Sequence, residues 1–250
     1  MNKVVLLTGA SKGIGAETAR ALGEEGAYVV AHYGSDEEGA REATAAIPSE
    51  RKLLVEADFS DPGAAQRLWQ TAVGWRGRVD VLVNNAAVME DSPPSAPDGE
   101  WRRAWQRAFD VNVLAPATLT REAVRHFGAH GGGIVITLSS WVAQRGTANP
   151  NLLAYAASKA AAKAMTQTVA RCYAAQGVLA YVIAPGVVRT RLSEIAAAQA
   201  GGEDAVTATL AMGEWVPPAE LAQVIVFLAS GAVRHLTGAT LDVNGATYVR

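Results

Sequence analysis

The sequence predicts an α/β fold, a Rossmann-type doubly wound, mostly parallel seven-stranded sheet with helices on both faces, and three observations predict it. Runs rich in Val, Ile and Leu alternate with Ala-rich stretches of helical spacing along the whole chain. Several of these runs are apolar at consecutive positions, as a strand covered by helices on both faces requires. A glycine-rich turn joins the first run to the first helical stretch, which is where such sheets bind ligands.

The first strand is read at Lys3 to Thr8, and its glycine turn leads to a helix over Ile14 to Glu25 that stops near Gly26. Tyr28 to Tyr33 and Lys52 to Ala57 follow as strands, then a helix over Ala64 to Val73 and a strand at Val79 to Asn84. The Pro-rich stretch Ser92 to Pro97 reads as a surface loop before a helix from Trp101 to Phe127. Pro116 lacks the N–H that would bond the Asn112 carbonyl four residues earlier, so this helix should kink and leave that carbonyl open to water. A strand at Gly133 to Ser139, a long helix over Tyr155 to Ala175, a strand at Val178 to Ala184, a helix over Ala219 to Ala229 and a strand at Ala239 to Val243 complete the alternation. Gly201-Gly202 divides two short helical patterns between Leu192 and Val216, and residues 190–216 are expected to form a mobile flap beside the ligand.

Half of the 250 residues are apolar and only 18% are charged, which suits one domain over residues 1–250 and excludes disorder. A net charge of −2 lacks the electrostatic footprint of a nucleic-acid binder. The single cysteine, Cys172, has no intramolecular partner and reads as a small buried hydrophobe, and no Cys/His cluster has zinc-ligand spacing, so no metal is expected. The apolar run at the amino terminus is too short for a signal peptide, and the others are broken before the roughly 18 residues of a membrane span. A cytoplasmic protein without a membrane partner is the expectation.

In Thr8-Gly9-Ala10-Ser11-Lys12-Gly13-Ile14-Gly15, glycines would let a pyrophosphate approach the backbone while the helix terminus supplies free N–H donors. The cofactor type should be legible after the second strand, which ends Ala31-His32-Tyr33-Gly34-Ser35. No acid stands there to accept from the ribose 2′-hydroxyl of NAD, and Lys12 offers a phosphate partner, so NADP(H) is favoured. Asp36 and Glu37 follow closely and keep NAD(H) open.

Tyr155 and Lys159 are four residues apart, which places phenol and ammonium on one helical face. An ammonium within about 4–6 Å favours the phenolate and would make the phenol a better base.

These residues carry a resemblance. The chain is similar, over essentially its whole length, to the short-chain dehydrogenase/reductase family. Five features match in the family's order: Thr8 to Gly15; the Asn84-Asn85-Ala86 turn; Asn112; Ser140 with Tyr155 and Lys159; and Pro185-Gly186 with Thr190. By that resemblance Tyr155 is the general acid/base, Ser140 bonds the substrate oxygen, Lys159 binds the nicotinamide ribose and acidifies Tyr155, and Asn112 holds the water of a proton relay. The resemblance also implies a dinucleotide surface made of Gly9, Ser11, Lys12, Gly13, Ile14, Gly15, His32, Tyr33, Ser35, Asp58, Phe59, Asn85, Ala86, Ala87, Pro185, Gly186, Val188 and Thr190, together with Tyr155 and Lys159. Asp58 would face the adenine, and Val188 and Thr190 the carboxamide.

The chain departs from the family pattern at three places. Ala87 stands where the Asn-Asn-Ala-Gly turn has glycine, fourteen residues separate Ser140 from Tyr155 with Ser139 adjacent, and Asn244-Gly245-Ala246 replaces Asp-Gly-Gly.

The implied activity is reversible hydride transfer between the nicotinamide and a ketone or secondary alcohol, as an NADPH-dependent carbonyl reductase. Ser140, Trp141, Leu153 and Tyr155 would meet the small-molecule substrate. One alternative is a 3-oxoacyl-carrier-protein reductase, with Arg102, Arg103, Arg107, Arg121 and Arg125 facing an acidic carrier. Another is a non-catalytic dinucleotide sensor or scaffold, which would need only the phosphate turn. A homo-oligomer, tetramer or dimer, is implied by the resemblance, and Trp101, Trp105 and Ala108 suit either an interface or the core.

Overall fold

The computed structural model describes residues 1–249. In chain order its elements are β1 (Val4–Leu7), α1 (Gly13–Glu24), β2 (Tyr28–Tyr33), α2 (Glu37–Ala43), β3 (Lys52–Glu56), α3 (Ala64–Arg76), β4 (Val81–Asn84) and α4 (Asp98–Phe109). A π-helical turn (Asp110–Leu114) leads to α5 (Ala115–Ala129), β5 (Gly133–Leu138), α6 (Val142–Arg145) and α7 (Leu153–Tyr173). Then come β6 (Val178–Pro185), α8 (Arg191–Gln199), α9 (Glu203–Thr207), α10 (Pro218–Ser230) and β7 (Thr240–Val243).

The seven strands pair in the order β3-β2-β1-β4-β5-β6-β7, every pair parallel. Side chains alternate across each strand, so one sequence run feeds two cores. On one face Val5, Leu7, Val81 and Ile136 pack with Leu22 of α1 and Leu221 and Ile225 of α10. On the other Leu6, Leu82 and Val135 pack with Leu68 of α3, Leu119 and Phe127 of α5 and Val169 of α7. Burying each of these larger side chains contributes about 1.5–3 kcal/mol. Strand order reverses between β1 and β4, so the loops that follow them diverge and open a crevice at the carboxyl edge of the sheet.

The structure corrects the sequence reading at several elements. Helix α2 was not anticipated: only Ala40 and Ala43 of its residues are buried, so it shows no apolar stripe, and its signal is the Asp36 cap, which accepts the Gly39 N–H at 3.0 Å. The expected kinked helix from Trp101 to Phe127 starts earlier, at Asp98, and contains the π turn, in which the Ala115 N–H bonds the Asp110 carbonyl five residues back. Pro116 therefore falls in the first turn of α5, where its missing N–H costs least. Helix α7 begins at Leu153, which puts Tyr155 in its first turn. Cys172 is exposed on α7 and is not the buried hydrophobe expected. Trp101 and Trp105 are half-buried and form a ladder with Phe109, at centroid distances of 5.2 and 5.7 Å, while Ala108 is fully buried.

Helices α8 and α9 are separated at Gly201-Gly202, where the break was read. Ala197, Leu210 and Trp215 form a small core of their own there, joined by Trp141, Val187 and Val206. The Trp215 indole N–H donates to the Thr207 hydroxyl at 2.9 Å, and Arg189 pairs with Glu203 at 2.8 Å. Among the described residues no helix is long and apolar enough to cross a membrane.

Candidate active site

The crevice is a cleft of about 490 Å3. Its floor is built where the turns after β1 and β4 meet. The Thr8 hydroxyl accepts the Asn85 and Ala86 N–H groups at 2.9 and 3.0 Å, and the Asn85 amide donates to the Thr8 and Gly9 carbonyls at 2.8 and 3.0 Å. Gly9 and Gly15 are where the backbones meet most closely. Gly9 is left-handed at φ +69, where a Cβ would lie 2.9 Å from the Ala86 Cα, and a Cβ on Gly15 would lie 1.9 Å from the Gly9 oxygen. Ala87 is not among the residues of positive φ, so the turn after β4 runs through it without needing the family's glycine. By contrast Ala246, where the third residue of Asp-Gly-Gly would be, adopts a left-handed φ of 57.

No side chain caps α1 and no acid stands in its first turn, so its leading N–H groups, beside the cleft-lining Gly13 and Ile14, are left for an anion. Farther along, His32, Ser35, Asp58 and Phe59 line the cleft; Tyr33 is buried and does not. Lys12 pairs with Asp36 at 3.0 Å. The Gly39 N–H and then Lys12 hold the Asp36 carboxyl below the usual range, and the Ser11 hydroxyl fixes the Asp36 carbonyl at 2.7 Å. Asp58 is likewise lowered, chiefly by Ser60 and then by Arg107, which pairs with it at 3.2 Å.

On the other side of the cleft stand Ser140, after β5, and Tyr155 and Lys159 on α7. The two adjacent serines differ in their partners: Ser139 donates to the Lys159 carbonyl at 2.9 Å, whereas Ser140 accepts the Val142 N–H at 3.4 Å and lines the cleft with Tyr155. The Lys159 ammonium donates to the Leu138 carbonyl at 2.9 Å and lies 5.7 Å from the Tyr155 ring centre. The expected acidification of Tyr155 by Lys159 is not what this geometry produces. Burial pushes the phenol up to about 12, with Ser140 acting against it, and burial brings the ammonium down to about 8.

Asn112 lies behind the cleft wall. Its amide oxygen accepts the Val88 N–H, and its nitrogen donates to the Val88 carbonyl, both at 2.9 Å, and to the Ser158 hydroxyl at 3.0 Å. Ser158 in turn donates to the Tyr155 carbonyl at 2.7 Å. Gly15, Trp141 and Leu153 also lie outside the cleft lining, whereas Pro185, Gly186, Val188 and Thr190 are part of it, Thr190 doubling as the amino cap of α8. Sequence reasoning missed Val88, Arg107 and Arg191 as lining residues, whereas Leu192, Ser193 and Ile195 belong to the segment from Leu192 to Trp215 expected beside the substrate. Arg107 was visible only as one arginine of a helical face.

A nicotinamide dinucleotide fits this donor set: unpaired helix N–H groups for the pyrophosphate, backbone brought close by glycine, and a polar pair at the far end. The sheet, the turn at its switch point and the phenol in the cleft together define a dinucleotide-dependent oxidoreductase.

Comparisons agree. The family described as "Enoyl-(Acyl carrier protein) reductase" matches residues 9–246. The 3beta-hydroxysteroid dehydrogenase 1 of Eggerthella lenta is 37% identical, covering 97% of this chain and 92% of the relative. The cis-4-hydroxycyclohexanecarboxylate dehydrogenase of Sinomonas cyclohexanicum is 36% identical, covering 97% and 95%. A crystal structure of 3-ketoacyl-(acyl-carrier-protein) reductase from Brucella melitensis complexed with NADH superposes with a TM-score of 0.86 at 28% identity, covering 99% of this chain and 98% of that one. The chain belongs to the short-chain dehydrogenase/reductase family and is an enzyme acting on CH–OH or C=O groups with a dinucleotide cofactor. The sensor or scaffold reading is thereby set aside.

Proposed function

We propose that this enzyme reduces a ketone to a secondary alcohol, reversibly, at the Tyr155 hydroxyl, with NADP(H) favoured over NAD(H). The observation that carries the reading is that Ser140, Tyr155 and Lys159 line the same cleft as the uncapped amino end of α1. The bound cofactor supplies or takes up the hydride. In reduction Tyr155 gives its proton to the carbonyl oxygen as the carbonyl carbon gains hydride, and in oxidation it takes the hydroxyl proton as that carbon loses hydride. Ser140 donates to the same oxygen and offsets the charge that develops there. Lys159 holds the ribose end of the cofactor, and Asn112 orients Val88 and α7. A phenol kept protonated by burial suits the donor's role, which favours reduction.

Support for NADP(H) comes from Lys12, whose exposed ammonium stands at the cleft edge, and from Asp36, whose two oxygens are engaged by Gly39 and Lys12. The structural neighbour carries NADH, so the test is direct titration with both dinucleotides.

For the substrate, the comparisons lend more weight to a 3-oxoacyl thioester of a carrier protein than to an unspecified carbonyl compound, because the matched family and the structural neighbour are both carrier-protein reductases by description. Among the arginines that would face a carrier, Arg102 and Arg103 are exposed, Arg107 is tied to Asp58, and Arg121 and Arg125 stand beside Glu122. A second reading, a ring alcohol or ketone, is favoured by the two ring-alcohol dehydrogenases at 36–37% identity and by Leu192 and Ile195 on the cleft wall. We take residues 190–216 as the substrate flap of a single domain working as a cytoplasmic homo-oligomer. Dinucleotide oxidation measured with a 3-oxoacyl thioester and with a cyclic ketone separates the two substrates, and turnover of neither removes the reductase reading.

A further inference from the structure

His32, the penultimate residue of β2, is 2% exposed and spans two parts of the dinucleotide cleft. Its Nδ1 accepts the Gly9 N–H at 3.1 Å, and its Nε2 lies 2.9 Å from the Ala57 carbonyl oxygen. The ring stacks on Phe59 at 4.4 Å and 13°, and the His32 carbonyl accepts the Ala10 N–H at 2.8 Å. A backbone N–H can only donate and a carbonyl can only accept. These partners therefore fix the ring as the neutral tautomer, with Nδ1 bare and the proton on Nε2. A second proton would point at the Gly9 N–H, and burial opposes it as well, bringing the imidazole down to about 4.

We propose that His32 is a positioning residue for the dinucleotide: its neutral ring sets the separation between the glycine turn and the Ala57–Phe59 wall, the two surfaces that flank the nucleotide end of the cofactor. Gly9 is where the requirement is tightest. Its left-handed backbone lies against Ala86, its carbonyl is held by Asn85 and its N–H by His32, so the peptide has no freedom to turn toward a phosphate. The phosphate is thus directed to the uncapped donors of α1. Among the described residues no other side chain is seen to bond both the turn after β1 and the loop after β3. The proposal rests on dinucleotide binding by this cleft and not on NADP(H) over NAD(H).

Two variants test it. His32→Asn keeps an acceptor at the position of Nδ1 but cannot reach Ala57, and His32→Leu keeps neither contact. Dissociation constants for NADPH and NADH, read by fluorescence titration, are expected to rise about tenfold for His32→Leu and about threefold for His32→Asn. The cofactor KM should rise in parallel, with a much smaller fall in kcat, since the Tyr155 end of the cleft is untouched. Unchanged dissociation constants, or a loss confined to kcat, overturn the proposal. Should His32→Leu fail to fold, nitrogen-15 spectra of the wild-type ring decide: a bare Nδ1 and a protonated Nε2 from about pH 5 to 8 are expected, and a proton on Nδ1 overturns it. A wild-type protein that binds neither dinucleotide fails the cofactor reading itself, whereas tight wild-type binding that His32→Leu leaves intact fails only this inference.

Discussion

The Lys159 ammonium and the Tyr155 phenol share one face of α7, yet the ammonium is bonded to the Leu138 carbonyl at 2.9 Å and stands 5.7 Å from the phenol ring centre. Burial acts on both groups, and in opposite directions. The protein alone therefore holds a protonated phenol beside a cation with weakened hold on its own proton, an arrangement suited to giving a proton away.

Replacing Tyr155 by Phe removes the phenol that lines the cleft with Ser140. The rate of ketone reduction should fall by about 10³-fold, within the range general acids contribute. Stopped-flow measurement of dinucleotide oxidation checks it, and a variant retaining a tenth of wild-type kcat would remove Tyr155 from the reaction.

The neighbouring serines should separate by phenotype. Ser140→Ala should lower kcat/KM at least about tenfold, as the loss of one transition-state hydrogen bond does. Ser139→Ala instead removes a buried bond to the Lys159 carbonyl, so it should cost about 1–2 kcal/mol of stability in urea denaturation.

Lys159 links stability to pH. Its folded value of about 8 lies below the ordinary 10.5, so the folded state binds this proton less tightly than the unfolded state does. The stability this difference contributes is fully present above pH 10.5 and is lost as pH falls through 8. Lys159→Met abolishes that dependence, so its stability relative to wild type should be greatest near neutrality and shrink by up to about 3 kcal/mol toward pH 10. Thermal denaturation of both proteins across this range tests the sign, and a gap that widens with pH contradicts it.

Lys12→Ala uncovers the Asp36 carboxylate at the cleft edge. Binding of NADPH should weaken at least about tenfold relative to NADH, because a 2′-phosphate loses a cation and meets an acid. An unchanged ratio of the two dissociation constants places the phosphate elsewhere.

Most of the sheet was legible because its central strands are buried on both faces, and unbroken apolar runs at Val4–Leu7 or Val178–Pro185 leave little else to form. Helix α2 was hidden because two buried alanines make no stripe, and the π turn because Pro116 signals an irregularity without saying which hydrogen bond replaces the missing one. Tyr155, Lys159, Ser140 and the glycine turn were named from spacing and resemblance. The commitment of Asn112 to Val88, the pairing of Lys12 with Asp36 and the partners of His32 all join distant parts of the chain, and no local pattern encodes them. The same holds for Tyr155, whose spacing from Lys159 announced the charge nearby but not the burial that pushes its phenol up.

The bidentate hold of Asn112 on Val88 is repeated farther along the same loop, where Ser92 bonds the Asn151 carbonyl and the Ala154 N–H. One bank of the cleft is thus moored to the helix that carries Tyr155, and a tie from Gln199 to Asp91 at 3.0 Å crosses to the opposite bank. We propose that breadth of substrate acceptance belongs to residues 190–216: that shore can be recut for a bulkier or slimmer guest while Tyr155 keeps its berth.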